Sequence, residues 1–109
     1  MITPTHGREH RLRRIYDVFR AQTHADREWL ILDDSAEPSA FFTALRDEQV
    51  RYRHLPERMS IGAKRNVLVG LAAGPGIVHF DDDDWYAPHY LETMAHRLED
   101  HDFVKLGAW

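Results

Sequence analysis

The run Asp81-Asp82-Asp83-Asp84 is the densest concentration of chemistry in this chain. Two carboxylates about 5 Å apart repel by roughly 1–3 kcal/mol at dielectrics between those of water and a protein surface. Four in a row, directly after the apolar stretch Ile77-Val78-His79-Phe80, multiply that cost, and a divalent cation would offset it. Carboxylate oxygens are the hard donors that Mg2+ or Mn2+ prefers. Alternation along an extended chain puts Asp81 and Asp83 on one side, with Asp84 free to turn toward the same ion. The other reading is a solvated acidic turn that caps a helix starting near Pro88. Spacing excludes an EF-hand, because Tyr86 stands where the turn glycine belongs.

A second acidic group, Asp33-Asp34-Ser35, ends the apolar run from Trp29 to Leu32. Carboxylates at a strand end accept hydrogen bonds from a ribose hydroxyl or a base imide, or they close a simple turn by bonding their own backbone. Lys64-Arg65-Asn66 falls in the first turns of a helix that Ser60 can cap. Cations are mildly unfavourable there, whereas an anion such as a diphosphate bound at that end reverses the sign. Without such an anion they are two exposed basic side chains. Thr5-His6-Gly7-Arg8 supplies turn chemistry after an apolar start. His6 is either part of a binding turn or ordinary surface, and His79 reads as a core or supporting residue of a buried strand. The other histidines show no metal spacing, and no Gly-rich phosphate loop or Ser-based nucleophile motif is present.

The elements that must position these residues alternate in type. Leu12, Ile15, Tyr16 and Phe19 recur at helical spacing within residues 9–22. Trp29 to Leu32 reads as a strand buried on both faces. A short helix is expected over residues 39–46, and Val50, Tyr52 and His54 alternate with Arg51 and Arg53 as in an edge strand. Val67, Leu68, Leu71 and Ala72 form the inner face of the helix after Ser60, which Gly74-Pro75-Gly76 ends. Ile77 to Phe80 reads as a buried strand and Phe103 to Leu106 as a last one. Between them Leu91, Met94, Ala95 and Leu98 line a helix. Strands alternating with helices imply an α/β fold, a mostly parallel sheet with helices on both faces. Its ligand belongs at the carboxyl ends of the strands, so the acidic and basic groups are expected on one rim.

The 109 residues fit a single domain spanning 1–109, with 43% hydrophobic content and one core. Fourteen Lys and Arg against eighteen Asp and Glu leave a net charge of −4, which argues against a dedicated nucleic-acid binder. There is no Cys, hence no disulfide framework, thiol catalyst or Cys-type zinc site. No apolar run approaches the roughly 18–20 residues needed to span a bilayer. A cytoplasmic chain with no membrane segment is the expectation.

The segments ITPTHGR, EWLILDDS, IGAKRN and IVHFDDDDWYAP, in that order, resemble the start of family 2 glycosyltransferases of the GT-A, Rossmann-like fold. The resemblance covers essentially the whole chain. It implies transfer of a sugar from a nucleotide diphosphate donor, a UDP-sugar being favoured, with inversion and with Mn2+ or Mg2+. It implies that Pro4, Thr5 and Arg8 belong to the nucleotide pocket, that Asp34 bonds the base with Asp33 beside it, and that Lys64 and Arg65 lie near the donor. Asp81-Asp82-Asp83 resembles the D-x-D motif: Asp83 is the metal ligand, Asp81 or Asp84 contacts ribose or metal, and Asp82 belongs to the donor site. The family's usual Asn in the first motif is replaced, the chain reading His6-Gly7. The resemblance also implies that the catalytic base and acceptor surface lie beyond Trp109, the sequence stopping after a fifth strand. A missing C-terminal half or a partner chain would then complete the site.

Two alternatives belong to other classes. One is a nucleotide- or metal-binding module without catalysis. The other is a phosphoacceptor signalling domain, which wants an acid pair after the first strand and a single Asp after the third, whereas here the acids follow the second and fourth.

Overall fold

The computed structural model describes residues 1–25, 27–72, 76–80 and 86–98, with Arg97 and Leu98 described by backbone alone. Strands β1 (Ile2–Thr5), β2 (Trp29–Asp33) and β3 (Val50–His54) form a parallel sheet in the order β1-β2-β3. Thr5 pairs with Asp33 and Asp33 with His54, so the three carboxyl ends lie level. Residues 77–80 come alongside the free edge of β1. There the Ile2 amide donates to Val78 O at 2.9 Å and the Phe80 amide to Ile2 O at 3.0 Å, a parallel bridge at His79. The chain thus steps outward from β1 to β3 and returns to the opposite side of β1. In open α/β sheets such a reversal of strand order opens a crevice where ligands bind.

Every residue of β2 is buried, because helices cover both faces. Trp29 and Ile31 pack with Leu12, Ile15 and Phe19 of α1 (Glu9–Arg20), Phe42 of α2 (Ala40–Ala44), and Leu91 and Met94 of α4 (Tyr90–Leu98). Leu30 and Leu32 face the other way, onto Leu68 of α3 (Ile61–Leu71). Ser39 and Ser60 cap α2 and α3, their hydroxyls accepting from the amides of Phe42 and Ala63. A buried polar chain crosses the sheet: Trp29 Nε1 donates to Thr3 Oγ1 at 2.8 Å, and the Thr3 hydroxyl donates to Phe80 O. It joins β2, β1 and the bridged segment 77–80 at the residue before the acidic run.

Several sequence expectations are corrected. Residues 77–80 are not buried on both faces: Val78 and Phe80 point into the core, while Ile77 and His79 are exposed. His79 is therefore not a core residue. The helix expected over residues 39–46 is the shorter α2, since Leu45 turns extended. Helix α1 ends at Arg20 rather than Gln22. Gln22 is buried and clamps two helices, donating to Val18 O and Ala87 O and accepting from the Leu91 amide. The strand expected at Phe103 to Leu106, and Gly74-Pro75, lie outside the described residues. Among the described residues no helix is long and apolar enough to cross a membrane.

Candidate functional site: a basic cleft at the end of β1

A cleft of about 730 Å3 opens at the carboxyl end of β1, between the turn that follows it and the N-terminus of α3. Pro4, Thr5, His6 and Arg8 form one wall; Arg58, Met59, Ser60, Ile61, Lys64 and Arg65 form the other. No carboxylate is among these described residues, so within a chain of net charge −4 they form a local concentration of positive charge. The α3 macrodipole adds to it, since the first-turn amides of an α-helix have no intrahelical acceptor.

Beneath the cleft sits Asp34, its side chain fully buried. Lys64 Nζ donates to Asp34 Oδ1 at 2.7 Å and to Thr5 O at 3.0 Å. His6 Nδ1 lies 2.9 Å from the same Oδ1 and 3.2 Å from the Asp34 carbonyl, and the Met59 amide donates to Oδ2 at 2.6 Å. Burial pushes the Asp34 pKa up, but the hydrogen bonds from Lys64, Met59 and His6, with the Lys64 charge, prevail and bring it from 3.8 down to about 2. One carboxylate therefore ties together the end of β1, the loop before α3, and α3 itself.

Asp33 faces the other way. Its Oδ1 accepts from the Ser35 amide at 2.9 Å and from the Ser35 hydroxyl, and its Oδ2 from Tyr52 OH at 2.5 Å. Tyr52 OH in turn accepts from the Ser39 amide at 2.9 Å. Burial, reinforced by the bond to Asp33, raises the Tyr52 pKa. A smaller hollow of about 340 Å3 on this side is lined by Glu9, Asp33 and Glu37 among others. Between the two pockets Gly7 adopts φ +63, and its amide donates to Ser35 Oγ at 2.6 Å. Left-handed backbone favours glycine and tolerates asparagine, which accounts for Gly7 near the place of the family motif's usual Asn.

The structure brings Pro4, Thr5, Arg8, Lys64 and Arg65 around one cleft. Asp33 and Asp34 do not line it; both are buried and bonded to protein donors. Lys64, read from its helix-start position as exposed or anion-facing, is only 3% exposed. Asp81, Asp82, Asp83 and Asp84 lie outside the described residues, and among the described residues no group of three or more His, Asp or Glu is arranged to hold a metal. Arg58 was missed by sequence reasoning, although its place two residues before the Ser60 cap was a signal that it would flank the helix entrance.

The chain is similar to known glycosyltransferases. The chain is 30% identical over 109 residues to the uncharacterized glycosyltransferase YwdF of Bacillus subtilis, covering 99% of this chain and 41% of that protein. It is 33% identical over 102 residues to the putative colanic acid biosynthesis glycosyl transferase WcaA of Escherichia coli, covering 88% and 36%. Glycosyltransferase GlyA of Streptococcus pneumoniae is 24% identical over 101 residues, covering 90% of this chain and 14% of that protein. The chain thus spans about two fifths or less of the curated relatives it matches. The family model for glycosyl transferase family 2 matches residues 1–108, and with the α/β sheet and its crevice in place the chain belongs to that family.

Proposed function

We propose that this chain binds the donor of a glycosyl transfer, a nucleotide diphosphate sugar with uridine as the favoured base, in the cleft at the end of β1. The observation that carries the reading is the lining of that cleft: Arg8, Arg58 and Arg65 surround the N-terminus of α3, with no carboxylate among the described lining residues. A diphosphate needs such a set, since guanidinium groups bind phosphate oxygens bidentately and a helix N-terminus offers amides and a favourable dipole. The cleft volume falls within the roughly 300–1,000 Å3 typical of small-ligand sites.

Asp83, with Asp81 or Asp84, would hold a Mn2+ or Mg2+ ion, and Asp82 would belong to the donor side. Their oxygens are the donor type these ions take. When bound, the ion supplies charge neutralisation to the leaving diphosphate. The chain's own residues do the rest: the arginines hold the phosphates, and the Asp34–Lys64–Thr5 knot keeps the two walls of the cleft in register. Inversion requires a base within hydrogen-bond reach of the acceptor hydroxyl. No described lining residue of this cleft supplies one, and in this reading the base comes from elsewhere in the protein or from a partner chain.

Calorimetry with UDP, with Mn2+ and again with chelator, tests the reading. Mn2+ is expected to strengthen UDP binding, and Asp83→Ala to abolish that coupling while leaving the metal-free affinity unchanged. Equal affinity with and without metal would refute the metal assignment, and absence of UDP binding in both conditions would refute the donor assignment.

A further inference from the structure

Within the donor-binding reading, on which the inference rests, we propose that Ser35 is a positioning residue that acts through the Gly7 amide to aim Arg8 at the donor phosphates. Residues 6–9 carry the chain from β1 into α1 and face two ways. His6 and Arg8 line the basic cleft, whereas Gly7 and Glu9 line the smaller hollow on the other side, with Ser35 and Ser39. Ser35 is not among the described lining residues of the cleft. Arg8 therefore sits between two residues anchored on the far side of the turn. The Gly7 amide donates to Ser35 Oγ at 2.6 Å, and Glu9 Oε1 accepts from Ser39 Oγ at 2.8 Å.

The two anchors are not equal. Glu9 begins α1, and the Arg8 carbonyl already accepts from the Leu12 amide at 2.9 Å, so helix formation fixes that end of the turn. On the other flank His6 is held through Asp34. Gly7 is the joint between them. Its φ of +63 is one of several conformations open to glycine. No atom beyond its chain neighbours lies within 4 Å of where a Cβ would stand, so packing does not select that conformation. The hydrogen bond to Ser35 does. A backbone amide only donates, so Ser35 Oγ accepts from Gly7 and keeps its own proton for Asp33 Oδ1. The same Oδ1 accepts from the Ser35 amide at 2.9 Å, and Asp33 is 4% exposed at the end of β2. The hydroxyl thus has one orientation, set from inside the sheet. Removing it frees the joint and leaves Arg8 its charge without its direction. Because the Gly7–Ser35 bond lies at the surface, water can satisfy the Gly7 amide and the fold is spared.

UDP binding in the presence of Mn2+, measured by calorimetry alongside thermal unfolding, tests this in a double-mutant cycle. Ser35→Ala is expected to weaken UDP binding about fivefold, the scale of ordering one backbone residue, with little change in melting temperature. Ser35→Thr, which keeps the hydroxyl, restores most of the affinity. Arg8→Ala weakens binding at least as much as Ser35→Ala. Once the guanidinium is gone its direction no longer matters, so Ser35→Ala/Arg8→Ala binds UDP like Arg8→Ala alone. Four results overturn the proposal while leaving the donor reading intact, provided that the wild-type chain binds UDP. They are losses that multiply across the pair, undiminished affinity in Ser35→Ala, undiminished affinity in Arg8→Ala, and Ser35→Thr as weak as Ser35→Ala. A Ser35→Ala chain that fails to fold overturns it too, by making the serine structural. A wild-type chain that binds no UDP overturns both readings.

Discussion

Replacing Lys64 by Met removes one partner of a buried ion pair while preserving most of the side chain's apolar volume. Lys64 is 3% exposed and Asp34 4% exposed, with Nζ and Oδ1 2.7 Å apart. Water cannot compensate the abandoned carboxylate, so the loss belongs to the buried class, about 3–5 kcal/mol, and not to the 0–1 kcal/mol of a surface pair. For a domain of this size that is a drop in melting temperature on the order of 20 °C. Asp34→Asn/Lys64→Met removes both charges, but asparagine offers one carbonyl oxygen where aspartate offers two. His6 and the Met59 amide then compete for it, and one donor goes unmatched at about 1–3 kcal/mol. The double variant is therefore expected to be more stable than Lys64→Met alone, a sign that a double-mutant cycle in urea at pH 7 reads directly. Acid supplies the second half of the test. The folded Asp34 pKa of about 2 lies below its ordinary 3.8. Its contribution, roughly 2 kcal/mol, is complete above about pH 4 and lost as pH falls from there toward 2. The gap between wild type and Lys64→Met should narrow over that window. A Lys64→Met cost below about 1 kcal/mol, or a double variant less stable than the single, refutes the reasoning.

Thr3→Val is nearly isosteric but leaves the Trp29 indole N–H and Phe80 O without the hydroxyl that joins them. A loss of about 2–3 kcal/mol in chemical denaturation is expected, where an apolar swap on the surface would change little. Tyr52→Phe removes the donor to Asp33 Oδ2 and the acceptor of the Ser39 amide, and should lower stability by about 1–2 kcal/mol while leaving UDP affinity unchanged. Arg58 is exposed and lines the cleft, so Arg58→Glu is expected to weaken UDP binding at least about tenfold with no significant change in melting temperature.

The elements were legible wherever burial follows local periodicity. The unbroken run Trp29-Leu-Ile-Leu predicts a strand covered on both faces, and all of β2 is buried. The alternation in β3 predicts an edge, and β3 is the edge of the three-stranded sheet. Helix α3 was legible by its cap and by its apolar inner face, Leu68 being buried with Val67, Leu71 and Ala72 packed beside it, but not by Lys64, which is buried as well. A lysine in the first turn of a helix carries no sign in sequence that its ammonium has a buried acceptor thirty positions away. The candidate site was legible as a set of residue types at strand ends, and illegible as a set of orientations. Asp33 and Asp34 look equivalent on paper, yet successive side chains leave a strand on opposite sides, and one serves Tyr52 while the other serves Lys64.

Register is the step that converts the first kind of knowledge into the second. A strand apolar at every position gains little from one register over another, because a one-residue slip still buries leucine or isoleucine on either face. What distinguishes the registers here is polar. Thr3 pairs with Ile31, which places its hydroxyl on the same face as Trp29 and within 2.8 Å of the indole nitrogen. A slip of one residue would carry Thr3 to the opposite face and leave a buried N–H unmatched, at about 1–3 kcal/mol. The same register sets Thr5 beside Asp33, and so brings Thr5 O and Asp34 within reach of a single lysine. The basic cleft therefore depends on a hydrogen bond in the interior of the sheet, contributed by two residues that are not among its described lining.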